Sequence, residues 1–328
     1  GKQGLNFLIS ATLGIIAVSI WTSVKAQINP DPEQISTPKF TNAENADKSK
    51  FPAKLPAESK PFKPNGLNQL NKIPRARGVI GSDDRIPMTL RKYPWSSIGR
   101  VAGITASGSK YHCTGTLIAE NVVLTNSHCV VDNETNKLSK KIWFQPNVIN
   151  GEVLDSSDVA TVKEVIYGTD FTQRNSIQND WAVMLIDKPL GRKYGYLGLK
   201  NLPTSAFARI PQQLFFVGYS GDFPNPQKRA FQRFTAGKGW TAGAQQGCSI
   251  VGEEQEILLH DCDTAGDSSG GPIIAFMDNN PYIVALNNAE IKDRDGKGVV
   301  NLAVKISSIE KALKKQSSGG KSKEKEKL

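Results

Sequence analysis

Between Gly78 and Val304 the apolar positions come in short runs broken by Gly, Pro, Asn and Asp, as in GRVAGIT, GTLIA, NVVLT, KIWFQP, ATVKEVIYG, WAVMLID, QLFFVGY, PIIAF, PYIVAL and VVNLAVK. Their length, their β-branched content and the regular turn signals between them predict antiparallel strands. Strand runs lie on both sides of a Pro- and Gly-rich stretch from Gly191 to Pro211. The expected architecture is therefore all-β, two antiparallel β-barrels in succession. One helix is predicted, at the end of this region. SSIEKALKKQ carries a Ser307-x-x-Glu310 capping box and sets Ile309, Ala312 and Leu313 on one face.

The two ends of the chain follow other patterns. Residues 5–24, LNFLISATLGIIAVSIWTSV, form an apolar run followed by VKAQ, where Val24 and Ala26 are small residues of the kind a signal peptidase accepts. Residues 1–26 read as a signal peptide; at about 20 residues the run is also long enough to be an anchor. Residues 27–77 are rich in Pro, Lys and Asn without apolar periodicity and are expected to be a disordered propeptide or linker. The folded domain is then 78–316, and 317–328 is a disordered basic tail.

A net charge of +10 raises the question of a nucleic-acid partner. Residues 39–77 hold nine Lys/Arg against three Asp/Glu, residues 311–328 seven against two, and residues 1–38 two against two, which leaves residues 78–310 at −1. A nucleic-acid-binding domain concentrates basic charge on itself. This one does not, so no nucleic-acid partner is expected. Membrane contact is expected only if the N-terminal run is retained.

Four cysteines form two locally spaced pairs, Cys113 with Cys129 and Cys248 with Cys262. In an exported chain, disulfides within each pair are favoured, each closing a short loop worth about 3 kcal/mol in the chain-entropy model. The His112-Cys113 and His128-Cys129 dipeptides invite a zinc reading, but neither pair has zinc-ligand spacing. No metal and no organic cofactor is expected.

Serine-dependent hydrolysis needs a base, a carboxylate to orient it and amide donors for the oxyanion. Three stretches offer these parts. GTLIAENVVLTNSHCVV sets His128 just after a strand, IQNDWAVMLID sets Asp180 at the entrance of an apolar strand, and CDTAGDSSGGP sets Ser268 and Ser269 in a Gly-rich turn. Each alone has a plainer reading: a structural histidine, a turn-forming aspartate, loop glycines. Their order and context together are the specific signal.

That order, His then Asp then Ser, with VIGSDDR, YPWSSIG and CDTAGDSSGGP, resembles the chymotrypsin-like serine proteases, and among them the bacterial glutamyl-endopeptidase-related branch. The resemblance covers roughly Val79 to Lys305. It implies a cleft between two barrels, with His128 and Asp180 from the first and the serine from the second. It also implies a Cys113–Cys129 bridge behind the histidine; Cys248 with Cys262 then brace the loop before the serine. The family's pocket strand supports the catalytic aspartate with a hydroxyl, a place that Asn288 takes in IVALNNAE.

Two registers are open at the serines. Read from Gly-Asp-Ser, the nucleophile is Ser268 and Gly266 lends an oxyanion amide. Read from Ser-Gly-Gly-Pro, it is Ser269, with oxyanion amides from Asp267 and Ser269. The residue after the nucleophile needs glycine for close backbone approach, which favours Ser269. The family has glycine where this register puts Asp267, so a negative side chain borders the oxyanion hole.

Asp263, with Thr264 beside it, lies six residues before Ser269, where trypsin-like members carry the acid that attracts Arg or Lys; Asn287 stands where glutamate-preferring members carry histidine. Cleavage after Arg or Lys is thus the expectation. Arg75-Ala76-Arg77 ahead of Val79 looks like the processing site of a zymogen, but Ser268 stands where the trypsin branch carries the Asp that pairs with the new amino terminus, so that ion pair is not expected. The protein is expected to be a secreted or periplasmic monomer acting on protein or peptide substrates. The alternative is an inactive protease-like binding protein.

Overall fold

The computed structural model describes residues 30–46, 59–73, 83–172, 176–264, 268–292, 294–295 and 298–318. Among them run sixteen strands, in chain order β1 (Lys39–Asn42), β2 (Ile86–Pro87), β3 (Ile98–Ile104), β4 (Lys110–Leu117), β5 (Val122–Thr125), β6 (Lys141–Pro146), β7 (Ala160–Tyr167), β8 (Ala182–Ile186), β9 (Gly198–Leu199), β10 (Leu214–Gly218), β11 (Gly243–Cys248), β12 (Ile250–Glu254), β13 (Ile257–His260), β14 (Pro272–Met277), β15 (Asn280–Lys292) and β16 (Gly298–Lys305).

The first sheet has the order β1-β7-β6-β3-β4-β5-β8, and its last six strands close into a barrel through β7–β8 pairing. Alternate residues of each strand point to opposite faces. Val101, Cys113, Leu117, Val123, Phe144, Val162 and Met184 accordingly fill the inside of this barrel. Ala102, Leu124, Trp143, Ile166 and Val183 share another cluster with Phe215, Val217, Ala244, Ile274 and Val304 of the second sheet. The seam between the halves is therefore hydrophobic core, which fixes their relative placement.

The second sheet has the order β12-β13-β16-β15-β14-β10-β11-β2, with β9 on β15. Its end strand β12 follows β11 after Ser249 alone, so the sheet must curl round to bring them together. Ser249 and Asp261 exchange two hydrogen bonds, Ser249 N–H to Asp261 Oδ1 at 2.7 Å and Asp261 N–H to the Ser249 carbonyl at 3.1 Å. The Cys248–Cys262 disulfide clasps the same place, and Cys113–Cys129 joins β4 to the turn after β5. Both expected pairings are present.

The final helix spans Ile306–Ser318 and buries Ile306, Ile309 and Leu313. The apolar face matches the expectation; the capping box does not, because the helix starts directly from β16 at Ile306 and takes Ser307 into its first turn. The helix also extends past the expected start of the tail at residue 317. The tail's residues 319–328 and the N-terminal run 1–26 lie outside the described residues. Among the described residues no helix is long and apolar enough to cross a membrane.

The larger difference concerns residues 27–77, expected to be disordered. Within that span, residues 30–46 and 59–73 are folded onto the barrels. β1 pairs in parallel with β7, and Ile35 and Ile73 are buried at 2% and 4% exposure. The Lys141 ammonium donates to the Ile35 carbonyl, Ile73 N–H donates to Gln246 Oε1 at 3.0 Å, and Trp95 Nε1 donates to the Leu70 carbonyl at 2.9 Å. The anchoring apolar residues are single and widely spaced, so they make no periodic signal. They gain burial from a surface built by residues far along the chain.

Ile35→Ala is expected to destabilise the protein by about 2–4 kcal/mol, as a truncation in a packed interior does. Urea unfolding of the full chain measures it, and a change below about 0.5 kcal/mol would mean that residues 30–46 are a passive linker.

Candidate active site

The base and the carboxylate are brought together by the register of one strand pair. β5 and β8 align Thr125 with Ala182, which sets the residues just beyond β5 beside the residues just before β8. Asn126 Nδ2 donates to the Asp180 carbonyl at 2.8 Å, and Ser127 Oγ donates to the Trp181 carbonyl at 2.6 Å. These bonds hold the short turn Ser127–Cys129 on the Asp180 segment. His128 N–H then donates to Asp180 Oδ1 at 2.9 Å, and its Nδ1 lies 2.6 Å from Asp180 Oδ2. Asp180 is 4% exposed. With Nδ1–H directed at the carboxylate, the neutral imidazole leaves Nε2 as the basic nitrogen.

A third donor reaches Asp180 from the other sheet. Asn288 Nδ2 donates to Asp180 Oδ2 at 2.5 Å. The pairing of β15 with β16 shifts between Asn287 and Ala289, a bulge that frees two adjacent side chains from strict alternation. Asn288 reaches Asp180, while Asn287 turns into the second barrel. There Asn287 Oδ1 lies 2.9 Å from His260 Nε2, and Asn287 Nδ2 donates to the Ser268 carbonyl at 3.3 Å.

The serine turn is docked on the first barrel. Thr114 N–H donates to the Ser269 carbonyl at 2.9 Å, and Gly270 N–H donates to the Asn287 carbonyl at 3.2 Å. Gly270 has φ +82°, and a Cβ there would meet the Thr114 carbonyl oxygen at 2.2 Å and Thr125 Oγ1 at 2.3 Å. Glycine is required at this position by the turn's own docking, before any substrate is considered. Ser268 is fully buried. Ser269 is half-buried and lines, together with His128, Tyr111, His112 and Cys113, a cleft of about 300 Å³. Its Oγ donates to the Asn288 carbonyl at 3.3 Å.

Of the expected site residues, His128 and Asp180 are hydrogen-bonded to each other, and Ser269 lines the same cleft as His128. Asp267 and Gly266, the candidate oxyanion amides of the two registers, lie outside the described residues. Asn287, expected in a specificity pocket, is instead 2% exposed with its amide engaged by His260 and the Ser268 carbonyl, so it braces the serine turn from inside. Asp263 is half-buried and its Oδ2 accepts the Asp84 N–H at 2.8 Å. Burial pushes its carboxyl above the usual range, opposed by that N–H and aided by the charges of Asp83 and Asp84. Thr264 follows it, half-buried. The sulfurs of Cys113 and Cys129 lie within 4.8 Å of a ring nitrogen of His128, but they are bonded to each other and are not thiolate ligands.

Sequence reading missed His260. It occupies an inward position of β13, two residues after buried Leu258, and that parity was the available signal.

Two β-barrels packed across one hydrophobic seam, with His128, Asp180 and Ser269 beside it, make a chymotrypsin-like fold. The trypsin family model matches residues 91–313, and the chain belongs to that family. It is 26% identical over 234 residues to Serine protease 23 of Rattus norvegicus, which covers 63% of this chain and 53% of the relative; the Bos taurus protein gives 25% over 229 residues. The chain thus spans about half the length of these curated relatives. Among solved structures, a Glu endopeptidase in complex with MPD superposes with a TM-score of 0.55 at 23% identity, covering 73% of this chain and all of that one. Protease Anisep from Arthrobacter nicotinovorans gives 0.52 at 17%, covering 68% of this chain and 98% of its own. At these identities the likeness to the solved structures is one of fold.

Two histidines, His112 in the wall of the cleft and His260 behind the serine turn, have their neutral form favoured by burial. Burial and the Arg100 charge push His112 down to about 4, and burial pushes His260 down to about 4 against its bonds to Asn287 and Leu302. A histidine depressed in the folded state contributes stability that is complete above its unfolded value near 6.5 and is lost as pH falls towards 4, because only the unfolded chain takes up the proton in that window. Unfolding free energies measured between pH 7 and pH 5 are expected to drop by on the order of 2 kcal/mol per histidine. His260→Gln is expected to make that slope shallower, and an unchanged slope would show that His260 is not held neutral.

Proposed function

We propose that the protein is a secreted serine endopeptidase that hydrolyses peptide bonds through an acyl-enzyme. The observation that carries this is the 2.6 Å contact of His128 Nδ1 with buried Asp180, in a cleft that Ser269 lines. Ser269 Oγ attacks the scissile carbonyl while His128 Nε2 takes its proton. Asp180 keeps the imidazole in the tautomer that can do so and stabilises the imidazolium. His128 then gives the proton to the leaving amine, and a water deprotonated by the same nitrogen releases the acid and restores Ser269. Asn288 is a positioning residue for Asp180. Two disulfides favour an oxidising compartment, and processing ahead of Val79 is part of the proposal.

A fluorophosphonate probe on the purified chain, followed by mass mapping, is expected to label Ser269, and Ser269→Ala to abolish both the adduct and turnover. Asn288→Ala is expected to lower kcat by roughly 10- to 100-fold, the worth of one hydrogen bond to a charged group, with KM little changed. An adduct on Ser268 would overturn the register. No adduct, beside a labelled control protease, favours the second reading, a binding protein that keeps the fold; the bond of Ser269 Oγ to the Asn288 carbonyl is the observation behind it.

Cleavage after Arg or Lys is proposed on Asp263, half-buried and six residues before Ser269, where trypsin-like members carry the acid that pairs with a basic side chain. Asp263→Asn is expected to reduce kcat/KM for Arg and Lys reporters at least about tenfold relative to neutral ones. Equal losses on all reporters would assign Asp263 to holding the Asp84 segment alone.

A further inference from the structure

Residues 30–46 and 59–73 precede the expected processing site at Arg75–Arg77, yet they are built into both halves of the fold. β8 takes one edge of β7 over Val162–Tyr167, and over Glu164–Tyr167 β1 takes the other. Ile35, Ala43 and Ile73 belong to the core that the two halves share. Leu70 N–H donates to the Tyr93 carbonyl and Tyr93 N–H to the Asn68 carbonyl, both at 2.9 Å, and Phe62 exchanges backbone bonds with Tyr196 at 2.9 and 3.0 Å. Trp95 is fully buried, its ring 5.5 Å from that of Phe215 and 6.2 Å from that of Phe276, and its indole N–H has the Leu70 carbonyl as acceptor. A donor inside the core of the second half is thus satisfied by chain from ahead of the processing site.

Loss of these stretches would leave a strand edge unpaired, an indole N–H buried without its acceptor and apolar recesses open to water. Among the described residues, none of 30–46 or 59–73 lines the cleft that holds Ser269 and His128. A pro-segment that plugs a cleft must leave before substrate can enter. These stretches plug nothing there, and the fold is damaged by their leaving. Residues 27–77 contain no cysteine, and the four cysteines are bonded to one another, so the attachment is noncovalent.

We propose that the chain ahead of the processing site is a permanent subunit: once the peptide bond ahead of Val79 is hydrolysed, with one water consumed and a carboxylate and an amine left, it stays docked and the protein is a noncovalent two-chain molecule. The proposal takes the processing step from the protease reading and rests on it to that extent; the docking itself needs no turnover.

The test uses the full chain carrying Ser269→Ala, which cannot cut itself, with the recognition sequence of a viral cysteine protease inserted between Arg77 and Gly78. After complete cutting, seen on a denaturing gel, gel filtration and native mass spectrometry at about 1 µM are expected to find both pieces in one particle, which requires a Kd well under that concentration. Ile35→Ala is expected to speed release of the N-terminal piece, measured by displacement with excess synthetic 27–77 peptide, at least about tenfold. Uncut, the same variant is expected to stay docked, because the tether supplies an effective concentration in the millimolar range. Gln246→Ala, at an exposed position of β11, removes the acceptor of Ile73 N–H and is expected to speed release about threefold without touching the core. Separation of the pieces at that concentration, with the remainder folded or aggregated, overturns the proposal, and so does a release rate that neither variant alters. Fluorophosphonate labelling of the same insertion chain with Ser269 kept tells the two readings apart. An adduct with the first piece gone keeps the protease and sinks the subunit; a retained piece without adduct does the reverse.

Discussion

A carboxylate removed from water between two sheets must have its charge met by donors, because an unmet one costs more than the fold can bear. Asp180 is met three times: by the backbone N–H and the ring of His128 from the first barrel, and by the amide of Asn288 from the second. The same three bonds set the imidazole's orientation and tie the two halves across the cleft. The burial of Asp180, the orientation of His128 and the joining of the two halves therefore share one interaction.

The serine turn is held by the same logic from the other direction. It belongs to the second half in sequence, yet Thr114 of β4 donates to the Ser269 carbonyl, and the space at Gly270 is filled by Thr114 and Thr125. Behind it His260, Asn287 and the Ser268 carbonyl form a buried polar chain. Each member satisfies the next, which is the condition for polar groups in a low-dielectric interior to rigidify rather than loosen it. The turn is thus fixed from the front by one barrel and from behind by the other. The residue that remains half-exposed between them is Ser269.

Residues 30–46 and 59–73 extend the principle to the outside. β1 adds to the edge offered by β7, and the 59–73 segment touches both halves, through Phe62 with Tyr196 and Gln69 with the Asn279 carbonyl. A segment whose composition reads as disordered becomes part of the fold because the barrels present it with an open strand edge and apolar recesses. Its own sequence contributes little beyond Ile35, Phe40 and Ile73.

Period-2 runs with turn signals between them were enough to define the strands, and the order of His128, Asp180 and the Ser-Gly-Gly-Pro turn was enough to name the candidate site. Local cysteine spacing identified both disulfides. These features are legible because each is encoded by neighbours in the chain: side-chain alternation, turn chemistry, short loops. What the sequence did not disclose depends on contacts between distant residues. Asn287 has the same neighbours whether it faces a substrate or the interior, and only the bulge in β15 decides that it braces His260 while Asn288 takes Asp180. Ile35 and Ile73 look like isolated apolar residues until the hydrophobic core shared by the two halves takes them in. Local physics chose the elements and the chemistry; burial between the two halves chose which face of each residue was used.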